Sequence, residues 1–192
     1  MKLTDSSEFG LTRRFSDAHI VYALHIMREG RIGRVALAGE MGIGEGSVRN
    51  VLKLLRFWGM IESTRDGTAL TESGRRFLED LRMDLVDVPQ TAYVPGACQS
   101  AVLVHGVAST APSRMHPSDS DVVACAHGTQ VFRMEGGVLM MQGERNVDER
   151  ELEFACVVRA AGMRDGDVLV VGGADNSSAA TAAALAVGLD ML

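Results

Sequence analysis

Apolar residues in the first ninety positions recur mostly at helical spacing, whereas those of the last hundred gather in strand-length runs separated by glycine-rich turns. Ile20, Val21, Leu24 and Met27 follow Ser16-Asp17, which predicts a helix with Ser16 or Asp17 as N-cap and Gly30 at its end. Residues 34–41 predict a second, short helix. Gly42-Ile43-Gly44 turns the chain into a third, over residues 45–58, closed by Gly59. Residues 60–64 and 68–70 read as short strands around Arg65-Asp66-Gly67, and Asp-Gly between strands is a strong hairpin signal. Thr71 then caps a helix carrying Phe77, Leu78 and Leu81.

The second and third helices meet the constraints of a helix-turn-helix. Leu37 and Met41 form an inner face, Ala38 is small where the helices cross, and Gly42 suits a turn with positive φ. Ile43 packs under the turn, and Val48, Val51, Leu52 and Leu55 give the third helix its buried stripe. Gly42-x-Gly44-x-Gly46 follows a helix rather than a strand and lacks dinucleotide-fingerprint spacing, so it is not read as a phosphate loop.

Two of the four prolines fall in residues 86–96, which sets a boundary between domains at 1–88 and 97–192. In the second domain, residues 101–105, 129–134, 138–141 and 167–171 read as strands, with Glu135-Gly136-Gly137 joining the middle pair. Helices are expected at 118–126, 148–161 and 175–189. The order is β-α-β-β-α-β plus a terminal helix, which predicts a ferredoxin-like α/β arrangement. The fold class is therefore α+β in two domains.

The chain of 192 residues carries a formal net charge of −6, which argues mildly against a nucleic-acid partner. Through Val88, however, 13 Lys and Arg balance 13 Asp and Glu, so the acid excess lies wholly in the second half. No apolar run is long enough to span a bilayer and the N-terminus lacks the apolar core of a signal peptide, so no membrane partner and a cytoplasmic location are expected. Cys98, Cys125 and Cys156 are widely spaced within Ala- and Val-rich stretches, which predicts small buried side chains and no metal site. Nothing in the sequence calls for a cofactor.

With Val48, Val51, Leu52 and Leu55 inward, the third helix turns Gly46, Ser47, Arg49, Asn50 and Lys53 outward. Arg49 suits guanine edges or phosphate, Asn50 adenine, and Ser47 either phosphate or a base. Gly46 permits close approach of the helix N-terminus, and Lys53 and Arg56 suit phosphate. Arg65 sits at the hairpin tip, and Arg13 and Arg14 precede the first helix. The one acid on this outer face is Glu45, at its start.

At this point the chain resembles the winged-helix transcription regulators. The resemblance rests on Ser47-Val48-Arg49, on residues 58–62 leading into the hairpin, and on Leu70-Thr71-Glu72-Ser73-Gly74 after it. With Gly136-Gly137 and residues 166–172 leading to an Ala-rich last helix, the whole chain is similar to an archaeal winged-helix family whose C-terminal half is a domain of unknown function. The resemblance implies a sequence-specific regulator that binds double-stranded DNA.

A weaker ligand site is read in the second domain. Gly172, Gly173, Asp175, Asn176 and Ser177 join an apolar strand to a helix N-terminus, and His105 ends another strand. Ser109, Ser177 and Asp175 are its available triad partners, although a tight turn capped by Asp175 or Asn176 is the simpler explanation of the glycine segment. The second domain is expected to form a homodimer, to sense a small-molecule effector, or both. The last helix, with Leu185, Val187, Leu189 and Leu192, suits either a dimer interface or close internal packing. An enzyme of nucleotide or cofactor metabolism fused to a winged helix is one alternative. A protein-interaction adaptor that never touches DNA is another.

Overall fold

The computed structural model describes residues 3, 15–108, 126–141 and 145–192. They form two compact units that divide between Leu81 and Arg82. The division comes earlier than the boundary expected at residues 86–96.

The first unit is helical with one hairpin. Helix α1 (Asp17–Arg28) starts at the N-cap Ser16, whose side chain accepts from the His19 amide while the His19 ring accepts from the Ser16 amide, a reciprocal capping box. Helix α2 (Arg34–Met41) ends at Gly42 in the left-handed conformation, φ 65°, as the turn to α3 (Glu45–Phe57) requires. Leu37, Met41, Val48, Val51 and Leu55 are fully buried, so the inward stripes expected of both helices close on one core. Strands β1 (Ile61–Thr64) and β2 (Gly67–Leu70) pair antiparallel, with Arg65-Asp66 as the turn. Ile32, between α1 and α2, exchanges two backbone hydrogen bonds of 2.9 Å with Thr68 and tethers the hairpin.

Helix α4 (Glu72–Asp80) crosses close to this hairpin. A side chain at Gly74 would strike the Met60 carbonyl, so only glycine fits. Thr71 caps α4 by accepting from the Gly74 amide at 3.2 Å, and its hydroxyl donates to the Gly59 carbonyl at 2.6 Å. Thr71→Ala removes both bonds. It should lower stability by about 1–2 kcal/mol, read as a lower midpoint in urea with an unchanged slope.

The second unit is a six-stranded antiparallel sheet with a helix on each face. Its strands are β3 (Met83–Val86), β4 (Cys98–Val104), β5 (Ala126–Glu135), β6 (Val138–Met141), β7 (Arg145–Asn146) and β8 (Val168–Ala174), in the order β3-β4-β8-β5-β6-β7. Leu103, Leu169, Phe132 and Met134 join Phe154, Ala155 and Val158 of helix α5 (Leu152–Ala160) in one core. On the opposite face Val102, Val104 and Met83 lie against Gly188 of helix α6 (Ser177–Leu189). Every residue of β8 is buried, as its unbroken apolar run predicts. Gly136-Gly137, with φ of 58° and 77°, forms the turn of the expected hairpin between β5 and β6, and Glu135, expected in that turn, ends β5.

The topology corrects the ferredoxin-like expectation. That arrangement sets the first and third strands side by side at the sheet centre and the last strand at an edge. Here the last strand, β8, takes the centre and pairs antiparallel with both β4 and β5. An apolar run reports burial on both faces but not which neighbours cover its edges. Strand β3, four residues long, was not among the expected strands, and only its last residue, Val86, falls in the stretch read as the domain boundary. The helix expected at 118–126 lies outside the described residues up to 125, and Ala126, His127 and Gly128 belong to β5.

Two cysteine expectations are corrected as well. Cys156 is exposed, because Phe154, Ala155 and Val158 set the inner face of α5 and leave it outward. Cys98 is half-buried at the start of β4. Cys125 lies outside the described residues. Among the described residues no helix is long and apolar enough to cross a membrane.

Candidate nucleic-acid interface

The outward face of α3 and the β1–β2 hairpin enclose an open groove of about 480 Å³. Five cations line it: Arg34, Arg49, Lys53, Arg56 and Arg65, against one acid, Asp66. The helical period explains the α3 contribution. Arg49, Lys53 and Arg56 sit three or four residues apart, so the stripe that buries Val48, Val51 and Leu55 leaves them on the outer side.

These cations are not equivalent. Arg34 pairs with Glu45 at 3.1 Å, and Arg56 donates to the Ser63 hydroxyl at 2.7 Å. Ser63 in turn shares a 3.0 Å bond with Thr68. Just outside the groove, Arg31 grips Glu62 at 2.6 Å and Thr64 at 3.1 Å. These contacts fix the hairpin against the helices. Arg49, Lys53 and Arg65 are exposed and have no ion-pair or hydrogen-bond partner among the described residues. Three cations thus face one open groove with their charge uncompensated, which suits a polyanion.

Of the residues singled out in the sequence, Arg49, Lys53, Arg56 and Arg65 come together in the groove. Gly46 and Asn50 are exposed on α3 and Ser47 is half-buried there, but none of them lines it. Arg13 and Arg14 lie outside the described residues. Sequence reasoning missed Arg34 and the tethers from Arg31. Their signal was the short, polar link between α1 and α2, whose pairing with β2 through Ile32 is not written in any local pattern.

The candidate ligand site of the second unit is not assembled. His105 lies just beyond the Val104–Val168 end of the β4–β8 ladder, whereas Gly172 pairs with Ser100. A separation of five positions puts them about 17 Å apart along the strand. His105 contacts Asp84 at 3.2 Å and Asp167 at 3.4 Å instead. A side chain at Gly172 would meet the Ala180 carbonyl, and one at Gly173 the Pro95 carbonyl, so these glycines serve packing. Asn176 is the N-cap of α6, accepting from the Ala179 amide at 2.9 Å. Asp175 binds His127 at 2.7 Å, and the Ser177 carbonyl accepts from Thr181 at 2.9 Å. His127 stands on β5. Ser109 lies outside the described residues. Among the described residues no group of three His, Cys, Asp or Glu side chains is placed to hold a metal ion.

Residues 95–191 match the family described as a domain of unknown function, DUF4443, which spans half of the chain, and the chain belongs to that family. Residues 18–76 match a second family, the PH0730-like N-terminal domain. Among solved structures, an archaeal protein, the hypothetical protein PH0730 from Pyrococcus horikoshii OT3, is similar over 93% of this chain and 93% of its own, with a TM-score of 0.71 at 17% identity. At that identity the likeness speaks for the fold. No curated protein matches.

Proposed function

We propose that this protein is a sequence-specific transcription regulator that binds double-stranded DNA through its first unit. That unit is read as a winged helix-turn-helix, with α2 and α3 as the bihelical motif, α3 as the recognition helix and the β1–β2 hairpin as the wing. The observation that carries this reading is the groove in which Arg49, Lys53 and Arg65 face outward without partners among the described residues. Nucleic acid is the polyanion that such a helix-and-hairpin groove fits, since phosphates attract the cations while the helix enters the major groove.

The second unit supplies dimerisation, effector sensing, or both, because one small groove reads only a short half-site. Helix α6 does not offer a free apolar face for this, since residues 180–189 are already buried within the chain. Light scattering gives the oligomeric state directly, and the reading predicts a homodimer bound to a palindromic site.

Salt tests the DNA reading. Binding to a random duplex should weaken linearly in log–log form as salt rises, with a slope of about −3 or steeper. Arg65→Ala on the wing should make that slope shallower by about one. A salt-independent affinity would count against phosphate contact.

A further inference from the structure

The first turn of α3 carries an arrangement that phosphate binding does not explain. Gly44 is the N-cap and offers no side chain to the helix. Its φ of −64° is open to any residue, and Ser, Thr, Asp or Asn would cap better. Gly46 lies within the helix, where glycine costs about 1 kcal/mol relative to alanine. A side chain at either position would meet nothing within 4 Å. Neither backbone conformation nor internal packing therefore calls for glycine at these two positions. Both suit a surface that must come close to the turn.

Between these glycines stands one side chain, Glu45. Its Oε2 is held at 3.1 Å by Arg34 Nη2, and its Oε1 has no partner among the described residues. The carboxylate is about half exposed. An acid here repels phosphate, so the group it meets must be a hydrogen-bond donor. On the major-groove edges of the bases, only the amino groups of cytosine and adenine donate. The adenine amino group lies beside the N7 acceptor, which repels a carboxylate, whereas cytosine presents its amino group without an acceptor on the same base edge.

Resting on the duplex-binding reading above, we propose that Glu45 is a specificity-determining residue that accepts a hydrogen bond from the amino group of a cytosine in the major groove. Arg34 is its positioning residue, fixing the carboxylate before DNA arrives. Arg49 and Lys53 supply affinity, and Glu45 supplies discrimination at one base pair.

The test is selection of the full-length protein on a randomised duplex pool, followed by affinity measurements on the enriched site and its single-base variants. The wild type should prefer C·G at one position by about tenfold or more. Glu45→Gln should reduce that preference to within about twofold, while binding to unrelated duplex stays the same or tightens. If Glu45→Gln keeps the full preference, the proposal is overturned. If the wild type binds duplex with the expected salt dependence but enriches no sequence, the Glu45 proposal fails while duplex binding stands. If it binds no duplex at all, both fall.

Discussion

The double variant Arg49→Ala/Lys53→Ala should bind duplex DNA about a hundredfold more weakly than the wild type near 0.1 M salt. Both side chains are exposed in the groove, and neither has a partner among the described residues to lose. Their removal should therefore leave folding stability within about 0.5 kcal/mol of the wild type. The pair is chosen for that separation. Truncating Arg56 or Arg31 would also cut the bonds to Ser63, Glu62 and Thr64 that hold the hairpin, and would confound binding with wing geometry. Fluorescence anisotropy on a labelled duplex, with urea unfolding of the same samples, reads both quantities. Wild-type affinity in the double variant would remove the groove from the account.

The largest effect on stability is expected from Gly172→Val. Strand β8 runs beneath α6, and at Gly172 the sheet touches helix backbone rather than side chains. A Cβ there would collide with the Ala180 carbonyl and come within 3.0 Å of the Ala184 amide nitrogen. Flexible side chains can yield to such a group, but helix backbone cannot without moving as a body. The valine should cost about 3 kcal/mol or more, at the upper end of overpacking in a core. Urea unfolding followed by circular dichroism checks it. A stability near wild type would mean that α6 does not sit on β8 as described.

Gly172 also shows where sequence reading stops. A glycine pair after an apolar strand looks the same whether a ligand's phosphate or a helix backbone occupies the space above it. The identity of the occupant is a tertiary fact. The same limit applies to the sheet order. The run Val168-Leu169-Val170-Val171 announced a strand buried on both faces, but nothing local to it named β4 and β5 as its partners. Strand β3, at Met83-Asp84-Leu85-Val86, was too short to show a period, and it exists because β4 offers it an edge.

The first unit was more legible because its signals are local. The apolar stripes of α2 and α3, the left-handed turn at Gly42 and the tight turn between β1 and β2 are each set within a few residues. The groove could be half read. Helical spacing put Arg49, Lys53 and Arg56 on one face, and the hairpin brought Arg65. What the spacing could not show is that Ile32 pairs with Thr68, with Arg34 then lining the groove and Arg31 bonding Glu62 and Thr64 just outside it. It also could not show which of these cations would be spent on internal bonds.

The most direct test of the central claim is the map of amide chemical shifts in the full-length protein as a mixed-sequence duplex is added. Changes are expected to concentrate in α3, residues 45–57, and in the hairpin, residues 61–70, around Arg49, Lys53 and Arg65. Bound duplex that leaves these amides unmoved, or shifts instead confined to residues 82–192, would contradict it.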